Sequence, residues 1–140
     1  MASGSEARLP KPPWLDAERV REAEREARCV VRSALEGSRS DELSTAILDL
    51  YREIPREGWL VRGVARVFLG TVARKGEDTW LVYGVPEFGD WHGYYIVSLE
   101  EGKYRCSCFS SGWGWRRARR ICTHVAAVML ARRARAERRV

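Results

Sequence analysis

The chain has no asparagine and no glutamine, and among its 140 residues only two are histidine, four cysteine and three lysine. Loss of both deamidation-prone amides, with 31% charged residues and arginine at 22 of the 25 basic positions, is the bias expected of a hyperthermophile protein. A GC-rich genome, which favours Arg, Ala and Gly codons, produces the same bias. Four cysteines, three of them crowded between 106 and 122, do not make a disulfide framework, and they point to a reducing, cytoplasmic compartment. No apolar run approaches the ~18–20 residues of a membrane span, so no membrane association is expected. The opening Met1-Ala-Ser-Gly-Ser-Glu has neither a signal-peptide nor a transit-peptide pattern. There is no phosphate-binding glycine loop, no Ser/His/Asp set and no redox Cys-x-x-Cys, and the Glu18/Glu22/Glu26 ridge reads as a solvated helix face. Neither an enzyme nor a small-molecule substrate is therefore expected.

What is present is concentrated near the C-terminus. Cys106-Ser-Cys108 is followed, after thirteen residues, by Cys122-Thr-His124. Three thiolates and one imidazole complete a tetrahedral donor set for one structural Zn²⁺, with no position left open. On a strand, residues i and i+2 point to the same side, so Cys106 and Cys108 can grip one ion from a strand end. Cys122 and His124 stand where a turn runs into the apolar helical segment Val125-Ala-Ala-Val-Met-Leu-Ala131. Cys29 reads as a small apolar group on a helix face, and His92 as a turn residue.

This constellation resembles the SWIM zinc finger, in which Cys-x-Cys, a variable insert and Cys-x-His sit on a ββα frame. The hydrophobic strand Tyr94-Tyr-Ile-Val-Ser-Leu99 before the first pair and His124-Val-Ala-Ala-Val after the second extend the resemblance over about residues 92–132. SWIM domains occur in Mutator-like transposases and Swi/Snf-type ATPases, which implies binding to DNA or to proteins. Small stand-alone SWIM proteins pair with RecA-like recombinase paralogues in homologous recombination, which implies an adaptor role as the alternative.

Charge is divided unevenly. Residues 103–140 carry 11 Lys and Arg against one acidic residue, Glu137, a balance of +10; the other 102 residues carry 14 basic and 18 acidic, a balance of −4. Such polarity points to a polyanionic partner. The segment between the ligand pairs, Phe109-Ser-Ser-Gly-Trp-Gly-Trp-Arg-Arg-Ala-Arg-Arg120, combines groups that stack on unpaired bases (Trp113, Trp115) with groups that bind phosphates (Arg116, Arg117, Arg119, Arg120). Arg105 beside the first pair and Arg132, Arg133 and Arg135 on the last helix complete the candidate nucleic-acid contacts. The plainer alternative is that the tryptophans pack as core while the arginines offset the charge of the thiolates. The partner is then DNA or structured RNA, ribosomal RNA included; a ribosome or a recombinase-like ATPase is the protein-side alternative.

The expected fold is α+β. Residues 1–13 read as a disordered arm. Residues 14–57 read as a helical hairpin. Its first helix is capped by Asp16, carries Val20, Ala23, Ala27, Val31 and Ala34 at helical spacing and ends at Gly37. Its second starts after Ser38 or Ser40, carries Leu43, Ile47, Leu50 and Ile54, and is stopped by Pro55. Residues 58–140 read as a four-stranded antiparallel meander with the zinc site and an Arg-rich helix running to Arg139. The first strand is expected around Val64, Val67, Leu69 and Val72, the second at Thr79–Val85, the third at Gly93–Leu99 and the fourth at Tyr104–Cys108. Trp80, Tyr94 and Tyr95 are expected to pack, with an open stacking face on the sheet as the alternative.

Overall fold

The computed structural model describes residues 12–110 and 121–139. Among the described residues, four α-helices and a sheet of four antiparallel strands, extended by a short fifth strand in parallel, make an α+β fold. The expected arm falls outside the described residues except for Pro12 and Pro13, and so does most of the Trp/Arg segment between the ligand pairs.

Helix α1 (Ala17–Leu35) starts where Asp16 accepts a hydrogen bond from the Arg19 amide at 2.9 Å, and buries Val20, Ala23, Ala27, Val30, Val31 and Ala34. Spacings of three and four residues put these side chains on one stripe. The chain turns at Gly37, whose φ of 79° suits a residue without a β-carbon. Helix α2 (Glu42–Glu53) is capped by Asp41, which accepts from Ser44 N at 2.7 Å and from Arg39 Nη2 at 2.8 Å. The hydrogen bonds from Ser44, then that from Arg39, hold the Asp41 carboxyl down at about 2. A lowered carboxyl stabilises the fold above the ordinary pKa near 4 and loses that effect as the pH falls through the folded value. Asp41→Ala is accordingly expected to cost about 1 kcal/mol at pH 7. In urea titrations this difference from wild type narrows between about pH 4 and pH 2; a gap independent of pH contradicts the assignment.

The first expected strand is a helix. Residues Glu57–Phe68 form α3, and Leu60, Val61, Gly63, Val64, Ala65, Arg66 and Val67 are all buried. Helix α3 packs on α1 and on the last helix α4 (Thr123–Ala134), and its sequence carries a helical period, with Arg62 and Arg66 four residues apart. Tertiary burial overrides the weak helix propensity of its valines. Gly63 lies at a close contact of α3 with α4: a β-carbon there would stand 3.2 Å from Ala126 Cβ.

The sheet begins after this helix with β1 (Val72–Arg74), β2 (Thr79–Tyr83), β3 (Tyr94–Glu100) and β4 (Lys103–Cys106), antiparallel in sequence order. Trp80, Val82, Tyr95, Val97 and Cys106 alternate onto the inner face and are buried. Tyr94 points the other way and is half-buried. The open-face alternative therefore does not hold for Trp80 and Tyr95.

The last helix also ends earlier than expected. Arg135 takes a left-handed conformation (φ 54°), and Arg138–Arg139 pairs with β1 in parallel as β5. Glu137 draws the chain back by accepting hydrogen bonds from Trp80 Nε1 and Arg74 Nη1. Arg138 donates to the Gly70 carbonyl at 2.6 Å and lies 4.4 Å over the Trp14 ring. Positive charge that suited a helix C-terminus is used instead to close a sheet edge. Among the described residues no helix is long and apolar enough to cross a membrane.

Candidate metal centre

Cys106 ends β4; Cys108, expected on the same strand, lies instead in the 3₁₀ turn that follows (Ser107–Ser110), and Cys122 and His124 bracket the start of α4. The side-chain donor atoms of all four lie within 4.8 Å of one another. His124 Nδ1 is 3.8 Å from both Cys106 Sγ and Cys122 Sγ. Donors at the corners of a tetrahedron with metal–sulfur bonds of ~2.3 Å and a metal–nitrogen bond of ~2.0 Å stand roughly 3.6 Å apart. The group is thus sized to hold a metal ion. Cys106, Cys108 and His124 are buried and Cys122 half-buried; Cys29 is exposed on α1 and takes no part.

The thiols are already set against one another. Cys108 and Cys122, and after them burial, push the Cys106 thiol up, whereas hydrogen bonds from Cys106 and Cys108 hold Cys122 down against its own burial. Crowded thiolates repel, and a bound cation is what lets all of them ionise together.

Behind His124 lies a charged chain that sequence reading missed. His124 Nε2 is 3.0 Å from Asp90 Oδ1, an arrangement in which the ring N–H donates to the carboxylate and Nδ1 is left to face the sulfurs. Arg66 donates to the same carboxylate through two nitrogens, Nη1 to Oδ2 at 2.7 Å and Nη2 to Oδ1 at 3.1 Å, and its Nε donates to Thr123 Oγ1 at 3.2 Å. The Val85 amide adds a further bond to Oδ2 at 2.8 Å. The Arg66 side chain is 1% exposed and that of Asp90 6%. Burial works against the charge of Asp90, but the His124 hydrogen bond and the Arg66 guanidinium outweigh it and hold the carboxyl well below the usual range. Burial likewise opposes charge on His124. The Asp90 hydrogen bond and the contacts with Cys108 and Cys122 overcome it and raise the metal-free imidazole to about 10. Tyr95 stacks on the ring face with centroids 3.9 Å apart, so the imidazole is held by a carboxylate behind and a phenol ring alongside. Carboxylate–histidine pairs of this kind set the tautomer and orientation of a metal ligand.

The candidate nucleic-acid contacts separate. Trp113, Trp115, Arg116, Arg117, Arg119 and Arg120 lie outside the described residues. Arg105 is exposed on β4 and pairs with Glu100 at 3.0 Å. Arg132 turns inward: it donates to Tyr104 Oη at 2.7 Å and lies 4.9 Å over the Trp80 ring. Arg133 pairs with Asp49 of α2 at 2.6 Å, and Arg135 is exposed at the helix cap. Two of the four described arginines thus spend their charge tying α4 to the sheet and to α2.

No protein-family model, curated protein or solved structure matches the chain.

Proposed function

We propose that this is a SWIM-type zinc protein whose metal centre holds an arginine- and tryptophan-rich segment in position to bind nucleic acid. The observation that carries the reading is the convergence of Cys106, Cys108, Cys122 and His124 within 4.8 Å, which anchors both ends of the 109–121 segment to one point. Soft thiolates with one imidazole favour zinc among the common biological metals, and four protein donors leave no open position for substrate. The centre is a structural clamp in this reading, and no catalysis is assigned to it. The +10 balance of residues 103–140 supplies the attraction for phosphates, with Arg116, Arg117, Arg119 and Arg120 as the main contacts and Trp113 and Trp115 available for stacking. Arg135, exposed at the C-terminal end of α4, extends the basic surface, as does Arg105 on β4 despite its pairing with Glu100.

In the adaptor alternative the acidic-leaning hairpin of residues 14–57 is the docking surface, with its apolar stripe as the hot spot. That stripe is buried among α1, α2, α3 and α4, so in the adaptor reading a partner would meet the exposed polar faces of these helices instead.

Binding that rests on phosphates falls by about 0.7–0.9 log units per log unit of salt for each contact. Changing Arg116, Arg117, Arg119 and Arg120 together to alanine is expected to reduce the salt slope by about 3, abolish binding near physiological salt and leave metal content unchanged. Fluorescence anisotropy across a salt series reads this. Unaltered binding by the quadruple variant sinks the proposal.

A further inference from the structure

We infer that Trp91 is a preorganised stacking platform for an unpaired base, making single-stranded nucleic acid the preferred ligand of this chain; the inference rests on the nucleic-acid reading above. Trp91 is 82% exposed, alone among the large hydrophobic side chains of the described residues. Tryptophan is enriched among the anchor residues of binding surfaces, because it offers a large contact area for two rotatable bonds.

Its backbone is fixed on both sides. The amides of Trp91 and His92 both donate to Tyr95 Oη, at 3.0 and 3.2 Å, and Tyr95 in turn stacks on His124. Asp90, one residue earlier, is tied to Arg66, His124 and Val85. Gly84 N donates to Gly93 O at 2.8 Å, and the His92 carbonyl leaves no room for a β-carbon at Gly84. The ordering that a flexible loop would undergo on binding is already built in, so little of the contact energy is lost.

The electrostatics suit a polyanion. The adjoining carboxylate, Asp90, is matched by the Arg66 guanidinium. Arg62 lies over Phe88 at 5.4 Å, adding a cation beside the same loop. Residues 1–102, Trp91 among them, carry a balance of −4, so the attraction for phosphates comes from residues 103–140 at +10, whose His124 this loop contacts through Asp90 and Tyr95. Bases in a duplex have both faces occupied by neighbours, whereas unpaired bases offer a face for an aromatic ring.

The test uses the full-length, metal-loaded protein with Trp91→Ala and Trp91→Phe. Labelled oligo(dT), oligo(U) and a duplex of equal length are titrated by anisotropy over a range of salt. Trp91→Ala is expected to weaken single-strand binding about 5- to 150-fold with an unchanged salt slope and unchanged duplex affinity, and Trp91→Phe to recover most of the loss. Single-strand binding by Trp91→Ala equal to wild type overturns the platform and leaves the arginine-based reading standing. Wild-type protein that binds neither single strand nor duplex at low salt overturns the nucleic-acid reading and the platform with it. Loss of bound metal in Trp91→Ala assigns the residue to folding. A wild-type dimer that Trp91→Ala makes monomeric, with binding intact, assigns the surface to a second copy; either result overturns the inference.

Discussion

Stripping the metal with a chelator, or replacing Cys106 with serine, is expected to abolish the cooperative thermal transition of the whole protein. A loss confined to the ligand-bearing segment is not expected. The sequence suggests a local effect, because the ligands fall within nineteen residues inside the 92–132 segment. The packing gives the larger one. Helix α4 begins at the metal centre and is central to the core: Val125, Ala126, Ala127, Val128, Leu130 and Ala131 are buried, and the helix touches α2, α3 and the sheet. Its N-cap, Cys122, makes no side-chain capping bond, so an ion held by the four donors would be what fastens that end to β4. Structural zinc sites in finger peptides are worth about 10–16 kcal/mol at neutral pH, and a domain of this size has a total stability of about 5–15 kcal/mol. Losing the first is comparable to the whole of the second. Circular dichroism melts with metal analysis read the outcome; an unchanged transition in protein shown to be metal-free would refute it.

Asp90→Ala is the second substitution of large effect, although Asp90 is not among the candidate metal donors. It leaves the Arg66 guanidinium buried without a carboxylate, and His124 Nε2–H and the Val85 amide without an acceptor. Breaking one side of a buried ion pair costs about 3–5 kcal/mol, mostly through the charge left behind. Removing the carboxylate that orients a ligating histidine lowers metal affinity about 10- to 100-fold. Urea denaturation and metal competition are both expected to show the defect. Arg66→Met combined with Asp90→Ala is expected to cost less than the sum of the single changes, since no unpaired charge remains. A single Asp90→Ala variant within 1 kcal/mol of wild type, with unchanged metal affinity, would show that the chain Arg66–Asp90–His124 is not coupled to the centre.

The four donors were legible because the signal is local: chemistry and spacing within nineteen residues name them, and the fold brings their donor atoms together. The Asp16 cap and the stripes of α1 and α2 were legible for the same reason, each being a pattern of a few neighbouring residues on a helix with one wet face. Helix α3 was not. Its valines and glycine resemble strand residues, and they outweighed a helical period that the segment does carry, with Arg62 and Arg66 four residues apart. Asp90 and Arg66 were missed because neither has a local signature. Asp90 follows a loop glycine like many turn residues, and Arg66 is one charge in an apolar stretch whose partner is 24 positions away.

By itself, then, the amino-acid sequence determined the donor set, the two leading helices, the run of strands from Thr79 to Cys106 and the basic bias of the C-terminal region, since each is written in residue type and short-range spacing. Only the tertiary structure decided that α3 is a helix, that Arg132, Arg133 and Arg138 serve as internal ties, that the chain returns from α4 to the sheet, and that a buried Arg–Asp pair stands behind His124. Those outcomes depend on which groups lose water together, and burial of one group against another is a property of the fold that no stretch of chain carries alone.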